Sequence, residues 1–225
     1  MNLHLFSTPG RDDLRYILEA SRPYLEGKED PVVAYLPAGS LGDTYQEYTE
    51  KAFRGLARIQ TINTELMTLP EMEAFLRSAA LVYIPGGNTF LLSYRLHISN
   101  IVDYLRKKVT AGLPLVAFSA GTVLCGVNIL TSNDLNMVGT PYFNGLNITP
   151  FNFNSHYPDD ELSCFRRDDW LSEYHVFHDN PVILLADGAY IQVVGRKTQL
   201  AQGQAWILRK GQEKQKLTVG TPIEV

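Results

Sequence analysis

The 225-residue chain carries 20 lysines and arginines against 24 aspartates and glutamates, a formal net charge of −4, with 45% hydrophobic residues and two cysteines. A chain of this length buries a sizeable core without staples, and Cys125 and Cys164 lack the spacing and companions of a disulfide framework or zinc cage, so a reducing cytoplasm fits best. The acidic balance supplies no basic field for phosphate backbones, which argues against nucleic acid as a partner.

In chain order, Met1 to Ser7 has no basic n-region and too few apolar residues for a signal peptide, and reads as a first strand. No apolar run approaches the roughly 20 residues that cross a bilayer, so the expectation is a soluble protein without a membrane partner. Val32 to Leu36, Leu81 to Ile84 and Leu115 to Phe118 are short, aliphatic and β-branched, as strands buried on both faces are. Helical patterns over Asp12–Leu25, Thr44–Leu56, Leu69–Ala79 and Thr89–Val109 separate them, the last with a break near Ser99-Asn100. This alternation predicts an α/β fold with a mostly parallel sheet and helices on both faces, with reactive groups at the carboxyl ends of strands.

From about Thr131 the pattern loosens into a segment rich in Asn, Pro and aromatics, ending at Asn154 to Asp160. Long irregular segments in compact domains are usually functional loops or packed covers. A helix is expected from about Glu161 to Tyr174, and short strands and hairpins over Val182–Leu185, Tyr190–Val194 and Ala205–Leu208. With no repeats or linker, residues 1–225 read as a single domain.

The stretch Leu115-Val116-Ala117-Phe118-Ser119-Ala120-Gly121 runs a buried strand into a serine followed by small residues and then a helix start, the arrangement of a nucleophile elbow. A serine capping a helix is the alternative, and Ala117 stands where the usual elbow has its first glycine. The Ala120 N–H, at the helix N-terminus, is a candidate oxyanion donor. Pro85-Gly86-Gly87-Asn88-Thr89 follows another buried strand at the same sheet edge, so Gly87 offers a second oxyanion donor and Asn88 a contact for a substrate polar group, against an ordinary strand-to-helix turn with Asn88 as cap.

A serine hydroxyl needs a base. Of the five histidines, His4, His97, His175 and His178 read as structural or solvated, whereas His156 falls in a polar loop after the strand-like Pro150 to Asn154. The acid is Asp187, just past a strand, or Asp134; spacing alone does not choose. Cys125, a turn and a half after Ser119, reads as core.

These residues resemble the peptidase E family, the aspartyl dipeptidases, whose sheet architecture is that of class I glutamine amidotransferases. Pro85-Gly86-Gly87-Asn88-Thr89-Phe90 is similar to the family's Gly-Gly-Asn-Thr-Phe loop, Ser119-Ala120-Gly121 to its Ser-Ala-Gly elbow, and Thr131-Ser132-Asn133-Asp134 to its Thr-Asn-Asp segment. Asn154-Ser155-His156-Tyr157 resembles Asn-Pro-His-Phe, and Asp187-Gly188-Ala189-Tyr190-Ile191-Gln192-Val193 resembles Glu-Gly-Asn-Trp-Ile-Gln-Val. The early Asp43 to Thr49 also looks like the family's segment after its second strand.

The resemblance implies a three-layer α/β/α fold and a cytoplasmic serine peptidase acting on dipeptides with N-terminal aspartate, without metal or cofactor. It makes Ser119 the nucleophile, His156 the base and Asp187 the acid, with Asn88, Thr89 and Arg166 as substrate contacts and a homo-oligomer open. Asp187 is one methylene shorter than the family's Glu, setting its carboxylate about 1.5 Å further back unless the backbone compensates. The family's Gly-Glu-Thr-Arg appears as Ser163-Cys164-Phe165-Arg166, where Arg167 competes with Arg166 for a substrate carboxylate. The rivals are a cyanophycinase-like hydrolase and a non-enzymatic binding module in which Ser119 is an ordinary cap.

Overall fold

Four-residue aliphatic runs form the centre of the molecule because both of their faces are covered. In the computed structural model, which describes residues 1–8, 14–42 and 45–224, the larger sheet has seven strands in the order β3-β2-β4-β5-β1-β8-β9. These are β1 (Asn2–Phe6), β2 (Val32–Tyr35), β3 (Arg58–Thr61), β4 (Leu81–Ile84) and β5 (Leu115–Phe118), all parallel, with β8 (Tyr190–Val194) and β9 (Lys197–Gln202) added antiparallel. A second sheet, in the order β11-β10-β7-β6, comprises β6 (Asn152–Tyr157) parallel to β7 (Val182–Ala186), then β10 (Ala205–Leu208) and β11 (Gln215–Lys216) antiparallel.

Side chains alternate across the large sheet, and each set meets its own helices. Val82, Ile84, Leu115 and Ala117 pack with α3 (Leu69–Ser78), α4 (Thr89–Ile98) and α5 (Val102–Thr110). Leu81, Tyr83, Val116 and Phe118 point the other way, onto α1 (Arg15–Leu25) and α2 (Gln46–Phe53). The short α6 (Ala120–Leu124) joins the first cluster, whereas α7 (Glu161–Phe177) packs on the small sheet through Leu171 and Tyr174 against Tyr157, Val182 and Leu184. The fold class expected from the alternation is therefore present: α/β, with a mostly parallel sheet between helical layers.

The helix break expected near Ser99-Asn100 lies between α4 and α5, where Asn100 takes a left-handed φ of 59°. Asp12, at the expected start of the first helix, and Asp43 and Thr44, ahead of α2, lie outside the described residues. Four elements differ from expectation. β3, β9 and the two-residue β11 are polar strands that the aliphatic pattern does not reveal, and β6 runs on through His156, which the sequence pattern leaves in a loop.

His4 shows what this packing costs a titratable group. It is 4% exposed on β1, with Nδ1 2.9 Å from the Tyr190 hydroxyl and Nε2 2.8 Å from that of Tyr24. Burial lowers its pKa from 6.5 to about 4, so the folded protein holds it neutral. Since the unfolded chain protonates first, stability attributable to His4 is complete above pH 6.5 and is lost as pH falls towards 4, by about 3 kcal/mol. Denaturant titrations of wild type and His4→Gln at pH 7 and pH 4 should show the wild-type advantage shrinking by that order; an unchanged difference would contradict it.

No helix among the described residues is long and apolar enough to cross a membrane. The carboxyl ends of β1, β4 and β5, being parallel neighbours, open on one edge of the sheet, and the chemistry-bearing residues collect there.

Candidate active site

Ser119 sits at the tip of the β5–α6 turn with φ 51° and ψ −116°, a conformation that costs a non-glycine residue on the order of 1–3 kcal/mol. Its N–H donates to the Phe6 carbonyl at 3.0 Å, which ties the turn to the end of β1, and its own carbonyl accepts from Val123 at 3.0 Å. The turn closes only because residue 121 is glycine: a Cβ there would strike the Ile84 carbonyl at the end of β4. The strain and the tight helix contact together push the Ser119 side chain out of the sheet, as an elbow requires.

His156 faces it. Ser119 Oγ lies 2.8 Å from His156 Nε2, and His156 Nδ1 lies 2.7 Å from Asp187 Oδ1. Because a carboxylate only accepts, Nδ1 carries the proton, and Nε2 of the neutral ring is left to accept the Ser119 hydroxyl hydrogen. The short acid reaches because the backbone comes to it. β6 and β7 are parallel neighbours, and the ladder skips from Ser155–Leu185 to Tyr157–Ala186, leaving His156 as the extra residue of a bulge. It takes φ 57° there and turns out of the strand, towards the residue just beyond β7, which is Asp187.

This local geometry explains why the loop assignment of His156 is wrong while its exposure is right: the bulge lifts one side chain from a strand whose other five residues are all buried. The His156 and Asp187 side chains remain 46% and 68% exposed, so solvent competes with their hydrogen bond, which contributes orientation more than stability.

Asp134, the alternative acid, points elsewhere. Its Oδ2 accepts from the Thr89 N–H at 2.7 Å, the Thr89 hydroxyl at 2.6 Å and the Ser132 hydroxyl at 3.2 Å, at the N-terminus of α4. The expected substrate contacts at Asn88 and Thr89 are likewise committed to the protein. Asn88 caps α4 by accepting from the Leu91 N–H at 2.9 Å and donates to the Leu135 carbonyl at 3.1 Å, and Thr89 is 1% exposed. Both side chains hold the loop's shape, Thr89 from a buried position and Asn88 from a half-buried one.

Gly87 is exposed, with φ 135°, and a Cβ on it would strike the Gly39 carbonyl, so only glycine allows the β4–α4 loop to lie against the β2 loop. Ala120 opens α6, so its N–H belongs to a first turn without intrahelical acceptors.

On α7, Arg166 is exposed, whereas Arg167 is drawn in: its Nη1 donates to Asn154 Oδ1 at 2.9 Å, its guanidinium lies 5.9 Å from the Trp170 ring centroid, and desolvation lowers its pKa. Asn154 is itself held by donating to the Thr131 carbonyl at 2.8 Å and Asn133 Oδ1 at 2.6 Å. Asn133 in turn donates to the Ser155 carbonyl at 2.6 Å, which staples the Thr131–Asp134 segment across β6 beside His156. Cys125 is fully buried as the residue that ends α6, and burial raises its thiol pKa, in keeping with a core residue. Among the described residues no cluster of three or more His, Cys, Asp or Glu is arranged to hold a metal.

Ser7, which the sequence marks only as the end of the first strand, also reaches the site. Fully buried just past β1, its Oγ accepts from the His156 N–H at 2.9 Å and lies 3.1 Å from the Leu185 carbonyl and 3.4 Å from Asp187 Oδ1. The only sequence signal for it is its place at the carboxyl end of a predicted strand.

Residues 5–201 match the sequence model of peptidase family S51. The peptidase E of Streptomyces coelicolor is 31% identical over 215 residues, 90% of this chain and 88% of its own length. The probable alpha-aspartyl dipeptidase of Drosophila melanogaster is 38% identical over 140 residues, 60% of this chain and 58% of that protein. The crystal structure of a peptidase from an acI-B1 Actinobacterium superposes with a TM-score of 0.74 at 18% identity, over 100% of this chain and 96% of that one, and shares the fold. A strained serine at a sheet edge beside a histidine and a carboxylate is thus found in a chain that belongs to peptidase family S51.

Proposed function

We propose that the protein is a serine dipeptidase that cleaves dipeptides with an N-terminal aspartate through an acyl-enzyme intermediate. The observation that carries this reading is the continuous contact from Ser119 Oγ to His156 Nε2 at 2.8 Å and from His156 Nδ1 to Asp187 at 2.7 Å. His156 takes the hydroxyl proton as Ser119 attacks the peptide carbonyl, and returns it to the departing amine. Asp187 holds the ring in the tautomer that accepts at Nε2 and stabilises it once protonated. The N–H groups of Gly87 and Ala120 receive the oxyanion, and water then releases the acyl group.

In a protein of net negative charge, an acidic substrate requires a local cation, and α7 supplies two. Arg167 is the better placed: it is fixed by Asn154, two residues before His156, and no carboxylate within salt-bridge distance neutralises it among the described residues. Arg167→Ala should raise KM for Asp-Xaa dipeptides about 10–100-fold, as expected for a lost charge-assisted pair, with kcat changed less; Arg166→Ala should stay within a few-fold. The opposite ranking would assign the contact to Arg166.

The reading is tested with a panel of Asp-Xaa and unrelated dipeptides, comparing wild type with Ser119→Ala. Turnover of Asp-Xaa that disappears in the variant supports it. A correctly folded wild type that cleaves none of the panel would exclude dipeptidase activity and favour a binding role or a branched aspartyl substrate.

A further inference from the structure

We infer that Ser7 is a positioning residue that registers the base and the acid against the nucleophile, an inference that rests on the serine-peptidase reading above. Phe6 and Ser7, at the carboxyl end of β1, make this connection with two atoms. The Phe6 carbonyl accepts from the Ser119 N–H at 3.0 Å and from the Thr122 hydroxyl at 2.8 Å, so it fixes the elbow from below. One residue later, the Ser7 hydroxyl accepts the His156 N–H at 2.9 Å. Ser7 is in turn held by donating its own N–H to the Ala189 carbonyl at 3.0 Å.

The chemistry of each bond defines the role. His156 is the unpaired residue of the β6 bulge, so its N–H has no ladder partner, and the Ser7 oxygen satisfies it in the left-handed conformation that aims the ring at Ser119. The single Ser7 hydroxyl proton is shared between the Leu185 carbonyl at 3.1 Å and Asp187 Oδ1 at 3.4 Å, on either side of the end of β7. Asp187 and His156 are largely exposed, so solvent competes for both, whereas Ser7 is fully buried. A buried hydroxyl therefore anchors an exposed acid–base pair to the same strand that anchors the nucleophile. Ser7 touches none of the reacting atoms and acts through His156 and Asp187.

The test uses diisopropyl fluorophosphate, which reports on Ser119 independently of the peptide substrate: the Oγ–P bond forms, fluoride leaves, and His156 takes the hydroxyl proton. Ser7→Ala should slow labelling of Ser119 about 10–100-fold, and lower kcat by a similar factor with KM within about three-fold. In an Asp187→Ala background, where the base is already unsupported, the same substitution should cost less than about three-fold, because residues that act as a unit are non-additive. Ser7→Cys, which fills the space with a weak hydrogen-bonding group, must shift the rate in the same direction and decides the matter if Ser7→Ala fails to fold.

Labelling of Ser7→Ala at the wild-type rate, or an undiminished loss in the Asp187→Ala background, would overturn the inference while leaving the peptidase reading intact. A wild type that neither reacts with the probe nor cleaves dipeptides would overturn both.

Discussion

Ser119→Gly should stabilise the fold by about 1 kcal/mol while abolishing turnover. The gain follows from the backbone: Ser119 holds φ 51° and ψ −116°, which glycine adopts without the steric cost that any side chain incurs. The loss follows from the chemistry, because no other hydroxyl is bonded to His156 Nε2 among the described residues. Removal of a serine nucleophile ordinarily lowers kcat by several orders of magnitude, leaving only what binding and oxyanion donors contribute. Ser119→Ala provides the separating control. It removes the hydroxyl but retains the Cβ, so it should be as inactive and no more stable. Urea unfolding and initial rates on one Asp-Xaa substrate measure both. A glycine variant less stable than wild type would contradict the strained-elbow reading, and an active one would place the nucleophile elsewhere.

The second large effect separates the two aspartates. Asp187→Asn should lower kcat about 10²–10⁴-fold and change stability by less than about 0.5 kcal/mol, because the exposed carboxylate orients His156 without supporting the core. Asp134→Asn should do the reverse in emphasis. Its Oδ2 receives three donors at the start of α4, and an amide in that place leaves some of them unmatched, costing about 1–3 kcal/mol. Its effect on rate should then come through displacement of the Gly87 loop and remain smaller than that of Asp187→Asn. Thermal unfolding alongside kcat distinguishes them, and a catalytic loss confined to Asp134→Asn would transfer the acid role there.

Most of the scaffold was legible because its strands are buried on both faces. Leu81–Ile84 and Leu115–Phe118 occupy the expected residues, since an aliphatic run of this length between helical patterns has few other places to go. Arg58–Thr61 could not be read the same way: as the edge strand β3 it is held by one-sided backbone pairing with β2, which leaves no aliphatic signature. His156 lay between these cases. Its polar neighbours and Pro158 suggested a loop, but Asn152, Asn154 and Ser155 are buried polar residues of a strand whose hydrogen bonds come from distant segments.

The site divides along the same line. Ser119 followed by the small Ala120-Gly121 and the Gly86-Gly87 pair are local signals, because a sharp strand-to-helix turn imposes its demands on neighbours in the chain. The sequence by itself thus determined the sheet-and-helix alternation, the elbow, the glycine loop and the family resemblance. Only the tertiary structure decided that Asp187 rather than Asp134 contacts His156, that Asn88 and Thr89 are spent on shaping their loop, and that Ser7 joins the group. Each of these depends on hydrogen bonds between residues far apart in the chain, such as His156 to Asp187, 31 positions apart, and His156 to Ser7, 149 positions apart. Such bonds are set by strand order and one bulge, and leave no periodic trace along the chain.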